Sequence, residues 1–489
     1  MKRKVQSRLS EWKSREDRKP LIVLGCRQCG KTYSVLEFAE HEYDDHVFIN
    51  LEQDLSRRSI FDGDLSADLL VERIMLSFNK EYVPGRTLIV LDEIQVSSGA
   101  LSSLKAFAFS GIKDVVATGS FLGVYLGDGS PYHESPVGYV DIEQMHPMDF
   151  EEFCWAMGVN DRILRMVAED VSADRRVDGY FDRVMSDLFR TYVSVGGMPE
   201  AVRCYAKTKD YRRVRDIQQN IMLILKNDAG KYSERADRDR IVNCLDSIPM
   251  QLSSDKGRFE FGAIPKSKAG YGKREYGSAL HWLETAGIAM RSYNVSAPDR
   301  PLSGVTRADS FRVLMCDTGL LLSMCDPSDA SAVVNRDPGA NIGWIMENAI
   351  GSVLMKKGFR PRYYSKPDST LEVDFVIDRG DGVTLIEVKS GSSRRSKSLQ
   401  TLIDSSKDRK GIKLAESQIS VDDRGIRHLP LYALCFFPDV PVPGLPVADV
   451  EGMNSRLASL DGHEDRVRAY RSRNTRSLSK SLNLDSPNH

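Results

Sequence analysis

The residues best placed to do chemistry lie at 25–32, where Gly25, Cys26, Arg27, Gln28, Cys29, Gly30, Lys31 and Thr32 follow the pattern G-x-x-x-x-G-K-[ST]. Glycines at both ends let backbone N–H groups curl around phosphate oxygens, and a helix opening at Lys31 adds its positive end. The pattern predicts that Lys31 bridges the β- and γ-phosphates of ATP and that the Thr32 hydroxyl ligates Mg²⁺. A second apolar segment, 87–91, ends in Asp92-Glu93. That sets two carboxylates at the C-terminal end of a buried strand, the edge where open α/β sheets hold ligands. Asp92 suits a water-mediated Mg²⁺ contact, and Glu93 suits orienting or deprotonating the attacking water. After segment 115–118, Thr118 and Ser120 are candidates to sense the γ-phosphate. Arg57 and Arg58, beyond the second strand, are candidates for an arginine finger.

A further carboxylate set lies at 371–390, LEVDFVIDRGDGVTLIEVKS. Gly380-Asp381 suits a two-residue hairpin loop, which pairs Phe375 with Ile386 and Val373 with Val388 on one apolar face. On the other face Asp374 then opposes Glu387 and Glu372 opposes Lys389. Opposed like charges destabilise a strand pair, and a divalent cation compensates Asp374 and Glu387 naturally. Lys389 shares the face of Glu387 and can stabilise a developing phosphorane charge or orient a metal-bound hydroxide. Glu347, on a helix face with Trp344, Gly351 and Leu354, is the candidate third acid. The competing expectation is a solvated charged face on which Lys389 neutralises both acids.

Cys26 and Cys29 form a CxxC pair, but no second pair or His pair at ligand spacing accompanies it. The expectation is two small side chains at variable positions of the phosphate loop rather than a redox or zinc centre. Lys and Arg total 68 against 69 Asp and Glu, a net charge of −1 that argues against a chain-wide polycation wrapped by nucleic acid. No apolar run is long enough to cross a bilayer, and the basic N-terminus lacks the apolar stretch of a secretory signal. A cytoplasmic location without membrane partners is the expectation.

The elements that must position these groups follow from periodicity. Segments 21–24, 47–51, 87–91, 115–118 and 137–142 are nearly continuous apolar runs separated by helical stretches. They predict an α/β fold with a parallel sheet whose strands are buried on both faces. Val5, Leu9 and Trp12 predict a helix packed on that sheet, with its Lys and Arg residues as the solvated face. The reading is helical across 150–231, broken at Gly196-Gly197-Met198-Pro199. Helices at 241–252 and 275–286 followed by apolar 288–295 and 311–316 fit a winged helix with a hairpin wing. The polar tail is expected to be disordered. The partition is 1–150, 151–235, 236–335, 336–447 and 448–489.

The phosphate loop, DEIQ at 92–95, GSFLGV at 119–124 and PMDFEEF at 147–153 resemble the bacterial and archaeal AAA+ superfamily ATPases. GGMPEAV at 196–202, CDTGLL at 316–321, Glu347-Asn348 and the EVDF…IEVKSG pair narrow the resemblance. They point to members whose C-terminal domain of unknown function has a restriction-endonuclease-like core. This likeness spans about residues 1–400. It implies an ATPase core, a helical lid, a winged-helix-like module and a PD-(D/E)xK-type domain. Lys31, Thr32, Asp92 and Glu93 match the Walker positions; Asp374, Glu387 and Lys389 match the acid–acid–lysine triad, with Glu347 at the helical acid. The Cys pair departs from the usual loop. Two functions follow as expectations: an ATPase coupled to a DNA-interacting, nucleolytic domain, or a nucleotide switch or assembly factor whose nuclease-like domain only binds DNA or a protein. A defence or toxin–antitoxin-like role is a third. Basic clusters at Lys266, Lys268, Lys273 and Arg274, and at Arg394, Arg395 and Lys397, motivate the DNA expectation. AAA+ resemblance also implies homo-oligomers.

Overall fold

The computed structural model describes residues 1–120, 138–229, 235–254, 257–265, 272–366, 369–391, 396–441 and 451. Five strands, β1 (Leu21–Gly25), β2 (Asp45–Asn50), β3 (Thr87–Asp92), β4 (Val115–Gly119) and β5 (Asp141–Met145), form a parallel sheet in the order β2-β3-β4-β1-β5. Helices α1 (Val5–Ser14) and α2 (Lys31–Glu42) cover one face, where Val5, Leu9 and Trp12 pack with Val35 and Phe38 over Leu21, Val23, Val90 and Val116. Ile22, Leu24, Ile89, Leu91 and Ala117 point to the other face, against Leu104 and Phe107 of the helix Ser98–Phe109. Helices on both faces are why β1, β3 and β4 read as unbroken apolar runs.

The fifth strand departs from expectation in place and character. It runs Asp141–Met145 rather than 137–142, position 137 lies outside the described residues, and Ile142 is 48% exposed. Among the described residues β5 pairs only with β1, an edge position, and its exposure alternates instead of burying both faces. The basic start of the chain is also corrected. Arg3 is buried, not a solvated residue, and Lys4 pairs with Asp149 and Glu151 at 2.6 Å each.

Asp149 and Glu152 form a reciprocal capping box that starts the helix Phe150–Ala156. Helices Asp161–Ser172, Gly179–Val195, Pro199–Thr208 and Tyr211–Asp228 follow. The glycine break does structural work: a Cβ on Gly197 would meet the Met148 carbonyl oxygen at 2.0 Å. Asp317 accepts from the Gly197 N–H at 2.6 Å and caps Leu320 N–H at 3.0 Å, so the GGMP and CDTGLL motifs meet.

Helices Arg235–Leu252 and Lys273–Thr285 precede β6 (Ala289–Val295) and β7 (Thr306–Met315), which pair antiparallel as expected. They are not the free wing of a separate module. β6 also pairs parallel with β8 (Arg362–Ser365), which joins the hairpin to β9 (Glu372–Asp378), β10 (Val383–Val388), β11 (Arg409–Ala415), β12 (Ser420–Val421) and β13 (Arg427–Pro430). The result is one eight-stranded mixed sheet, β12-β13-β11-β10-β9-β8-β6-β7. A single apolar cluster runs from Met148 through the helices to Phe437, so helices and sheet share a core. The polar tail expected from 448 lies outside the described residues apart from Glu451.

Candidate functional site

The loop between β1 and α2 takes its shape from two left-handed residues, Gln28 (φ 61°) and Gly30 (φ 95°). Only glycine fits at its start, because a Cβ on Gly25 would stand 2.2 Å from the Met145 carbonyl oxygen of the edge strand. Lys31 is 6% exposed, and its ammonium donates to the carbonyls of Gly25 at 3.1 Å and Cys26 at 3.0 Å, across the loop it closes. Asp92 is the hub beside it. Oδ1 accepts from Thr32 Oγ1 at 2.7 Å and from Thr118 Oγ1, and Oδ2 accepts from Asn50 Nδ2 at 2.9 Å. Three uncharged donors from three elements therefore hold one buried carboxylate at the ends of neighbouring parallel strands.

Glu93 follows in a left-handed conformation (φ 55°), which turns its side chain off the strand line. Gln95 Nε2 donates to Glu93, and Gln95 Oε1 accepts from Ser120 N–H at 3.4 Å. Ser120 Oγ is buried without a hydrogen-bond partner among the described residues. Of the two expected phosphate sensors, Thr118 is thus spent on Asp92 and Ser120 keeps a free hydroxyl. Arg57 is engaged within the chain: it donates to Asp54 at 2.6 Å and to the Ser77 carbonyl at 3.1 Å, and lies over the Phe78 ring at 4.1 Å. Arg58 makes no ion pair among the described residues.

Sequence reasoning missed three supports of this loop. Arg3 donates to the Cys29 carbonyl at 2.8 Å, the His146 carbonyl at 2.8 Å and Glu152 at 3.0 Å, tying the loop to α1 and the β5 exit. Arg27 pairs with Asp228 at 2.8 Å, which links the loop to the last turn of Tyr211–Asp228. Asn50 is the third. The cysteines behave as loop filler. Both are free and buried, and although Cys29 pulls the Cys26 thiol down, Cys316 and burial push it up to about 12. Such thiols stay protonated, unlike reactive thiolates.

The C-terminal acids occupy β9, β10 and the helix Gly343–Lys356. The hairpin register is the expected one, with Val383 opposite Asp378 and Ile386 opposite Phe375. It does not continue to Asp374. β8 shifts register against β9, with Arg362 opposite Val376 but Tyr364 opposite Val373, so residues 374–375 form a bulge. Val373 consequently packs with Val376 and Leu385, not with Val388, which joins Phe375 and Ile386 on the other side. Instead of facing Glu387, the Asp374 carboxylate accepts the Val388 N–H at 2.7 Å.

Arg312, which the sequence did not single out, organises this cluster. It is buried, pairs with Glu347 at 3.2 Å and with Glu372, and lies over the Tyr363 ring at 4.4 Å. Lys389 pairs with Glu387 at 2.8 Å, leaving the second Glu387 oxygen buried without a partner. Burial and the nearby Glu347 push the Asp374 carboxyl well above the usual range, against Arg312, the Val388 N–H and Lys389. Burial likewise raises Glu347 despite Arg312. Among the described residues, no group of three or more His, Cys, Asp or Glu side chains is close enough to hold a metal ion. Glu347, Asp374, Glu387 and Lys389 thus share one electrostatic neighbourhood but stop short of a closed ligand set. Lys273, Arg274 and Lys397 are exposed, and Lys266, Lys268, Arg394 and Arg395 lie outside the described residues.

Three family models match separate segments of the chain. Residues 17–154 match the model of an AAA domain, residues 186–331 a domain of unknown function (DUF8612), and residues 342–434 a domain of unknown function (DUF4143). The AAA match falls on the sheet that carries the phosphate loop, so residues 17–154 form a P-loop domain of AAA type. No curated protein matches the chain. Among solved structures, the Walker-type ATPase PABY2304 of Pyrococcus abyssi is similar at 13% identity, covering 66% of this chain and 95% of that one, with a TM-score of 0.40. The Aeropyrum pernix ORC2 protein, in ADPNP–ADP complexes, is similar at 13% identity over 65% and 87%, with a TM-score of 0.29. The Aeropyrum pernix ORC1 protein in complex with DNA is similar at 13% identity over 68% and 91%, with a TM-score of 0.25. No helix among the described residues is long and apolar enough to cross a membrane.

Proposed function

We propose that the chain binds ATP at the 25–32 loop and hydrolyses it, ATP + H₂O → ADP + phosphate, with Mg²⁺. The observation that carries this reading is the Asp92 carboxylate, which accepts hydrogen bonds from Thr32, Thr118 and Asn50 at the end of the loop that Lys31 closes. The residues fit a metal–nucleotide pair: a hydroxyl and a carboxylate in contact, a buried ammonium on the loop carbonyls, and the unpartnered Ser120 hydroxyl. Thr32 and Asp92 would hold Mg²⁺, which supplies charge neutralisation of the phosphates. Lys31 shares that task, Ser120 meets the γ-phosphate, and Glu93, steadied by Gln95, orients and deprotonates the water. Residues 1–150 serve as the ATPase core and 151–235 as its lid, which Arg27–Asp228 ties to the loop. The test is ATP binding by wild type and Lys31→Ala, together with phosphate release in Mg²⁺ and in EDTA. Loss of binding in the variant and of release in EDTA supports the reading; release that ignores both contradicts it.

For the C-terminal sheet we infer a PD-(D/E)xK-type, metal-dependent site acting on DNA, with Asp374 and Glu387 as metal ligands, Glu347 as third acid and Lys389 beside the scissile phosphate. The crowding of Asp374 against Glu347 favours it, since a divalent cation relieves that repulsion. Incubating DNA with Mg²⁺ or Mn²⁺ tests it: wild type cleaves, and Asp374→Ala and Lys389→Ala do not. Absence of cleavage by wild type with and without ATP refutes it. A second reading, a nucleotide switch or assembly factor whose acids are structural, is favoured by the ion pairs Arg312–Glu347 and Lys389–Glu387. Under that reading Lys31→Ala alters self-association or partner binding while Asp374→Ala changes nothing.

A further inference from the structure

The peptide that joins Cys29 to Gly30 is gripped by a residue from outside the phosphate loop. The Arg3 guanidinium donates through one terminal nitrogen to the Cys29 carbonyl at 2.8 Å and through the other to the His146 carbonyl at 2.8 Å. Its Nε donates to Glu152 at 3.0 Å. Glu152 also accepts the Lys4 N–H at 2.7 Å and, within the capping box, the Asp149 N–H at 3.0 Å, so the partner of Arg3 is itself fixed. Arg3 and Glu152 are both buried. Burying an ion pair carries a desolvation cost, and a neutral donor would satisfy the Cys29 carbonyl without it. A buried cation on that carbonyl calls for a further reason.

The reason lies in the other half of the same peptide. The Cys29–Gly30 bond is trans, and in a trans peptide the C=O and N–H point in opposite directions. With the Cys29 carbonyl drawn towards Arg3, the Gly30 N–H points away from Arg3 and Glu152. That N–H has no hydrogen-bond acceptor among the described residues. The space behind Gly30 is filled: a Cβ there would lie 3.5 Å from the Arg3 guanidinium, 3.4 Å from Pro199 Cγ and 3.7 Å from Met145 Cε. A cation on the carbonyl also strengthens the N–H of the same peptide as a donor, because hydrogen bonds polarise one another along a chain.

We propose that Arg3 is a positioning residue for phosphate binding: it holds the Cys29 carbonyl so that the Gly30 N–H is aimed at a phosphate oxygen of the nucleotide. The proposal rests on the reading that the 25–32 loop binds ATP. It assigns part of the affinity for phosphate to a residue outside that loop and outside the segment 17–154 that matches the AAA model. Arg3 itself does not touch the nucleotide.

The test uses the full chain with Mg·ADP, at a temperature at which each variant is folded. Isothermal titration is expected to show binding that Arg3→Met weakens about tenfold or more. Arg3→Lys is expected to fall between the two, because an ammonium lacks the planar fork that spans a carboxylate and two carbonyls. Cys29-Gly30 is the one Cys-Gly step in the sequence, so labelling the cysteine carbonyl carbon and the glycine nitrogen gives a single amide resonance from this peptide. That resonance is expected to move when wild type takes up Mg·ADP, and to start from a different position in Arg3→Met. A folded Arg3→Met with wild-type affinity, even with a lowered melting temperature, makes Arg3 a clamp of the fold alone and overturns the proposal. So does a Gly30 resonance that ignores Mg·ADP while wild type binds it. If Arg3→Met does not fold, Arg3→Lys decides: weakened binding with a shifted resonance supports the proposal, and wild-type affinity overturns it. A wild type that binds no Mg·ADP removes the nucleotide reading itself, and this proposal with it.

Discussion

Asp92 closes a regular parallel strand and takes hydrogen bonds from three uncharged groups, whereas Asp374 sits in a bulge beside a second carboxylate. Both are acids on strands, but Asp92 is buried and Asp374 half-buried, and their neighbours differ in charge. Asp92 is held by hydroxyl and amide groups that carry no charge of their own, and no cation of the chain pairs with it among the described residues. Around Asp374, burial and Glu347 favour the protonated form, and Arg312 and Lys389 offset them only in part. One centre is arranged before its ligand arrives. The other holds its acids through cations of the chain itself, and a metal there has to displace protons.

The largest effect that would break this contrast is expected at Arg312. Replacing it by Met leaves Glu347 and Glu372 without their shared cation, and a loss of about 3 kcal/mol is expected, the low end for a broken buried pair because Glu372 keeps some water. Chemical denaturation measures it; an unchanged midpoint would mean that Arg312 does not hold the acids.

Asp374→Asn should act in the opposite direction. The folded chain holds the Asp374 proton more tightly than the unfolded chain, so stability falls as pH rises from the ordinary carboxylate range through the raised one. Glu347 adds to the same slope. The amide removes the Asp374 part, which predicts a higher melting temperature at neutral pH and a flatter pH profile than wild type. A steeper profile contradicts the assigned sign. The smallest effect is expected at Asn50→Ala, about 1 kcal/mol, because Asp92 keeps Thr32 and Thr118 and the Glu52 and Gln53 N–H groups that lose Asn50 Oδ1 are exposed to water. A larger loss would show that Asn50, not the threonines, carries Asp92.

The same two centres show what a sequence exposes. Residues 25–32 and Asp92-Glu93 were legible because each motif is contiguous and its neighbours in the sheet are ordinary apolar strands. The β9–β10 register was legible because Gly380-Asp381 sets it locally. The bulge at 374–375 was not, because it arises against β8, whose pairing no turn specifies. Arg3 and Arg312 were missed for a related reason. Their acidic partners lie 149 residues away for Glu152, and 35 and 60 for Glu347 and Glu372, so nothing near them distinguishes a buried clamp from a solvated charge. The middle hairpin paired as expected, but its other edge meets β8, which turned a presumed wing into part of a larger sheet.

The most direct test of the nucleotide centre is the time course of phosphate release from Mg·ATP by wild type and Glu93→Gln, with ATP binding measured on both. Equal binding is expected, with release slowed about 10²–10⁴-fold in the variant, the range of a lost general base. Equal release by the two proteins would contradict the assignment of Glu93 and, with it, the account of this site as a hydrolytic centre.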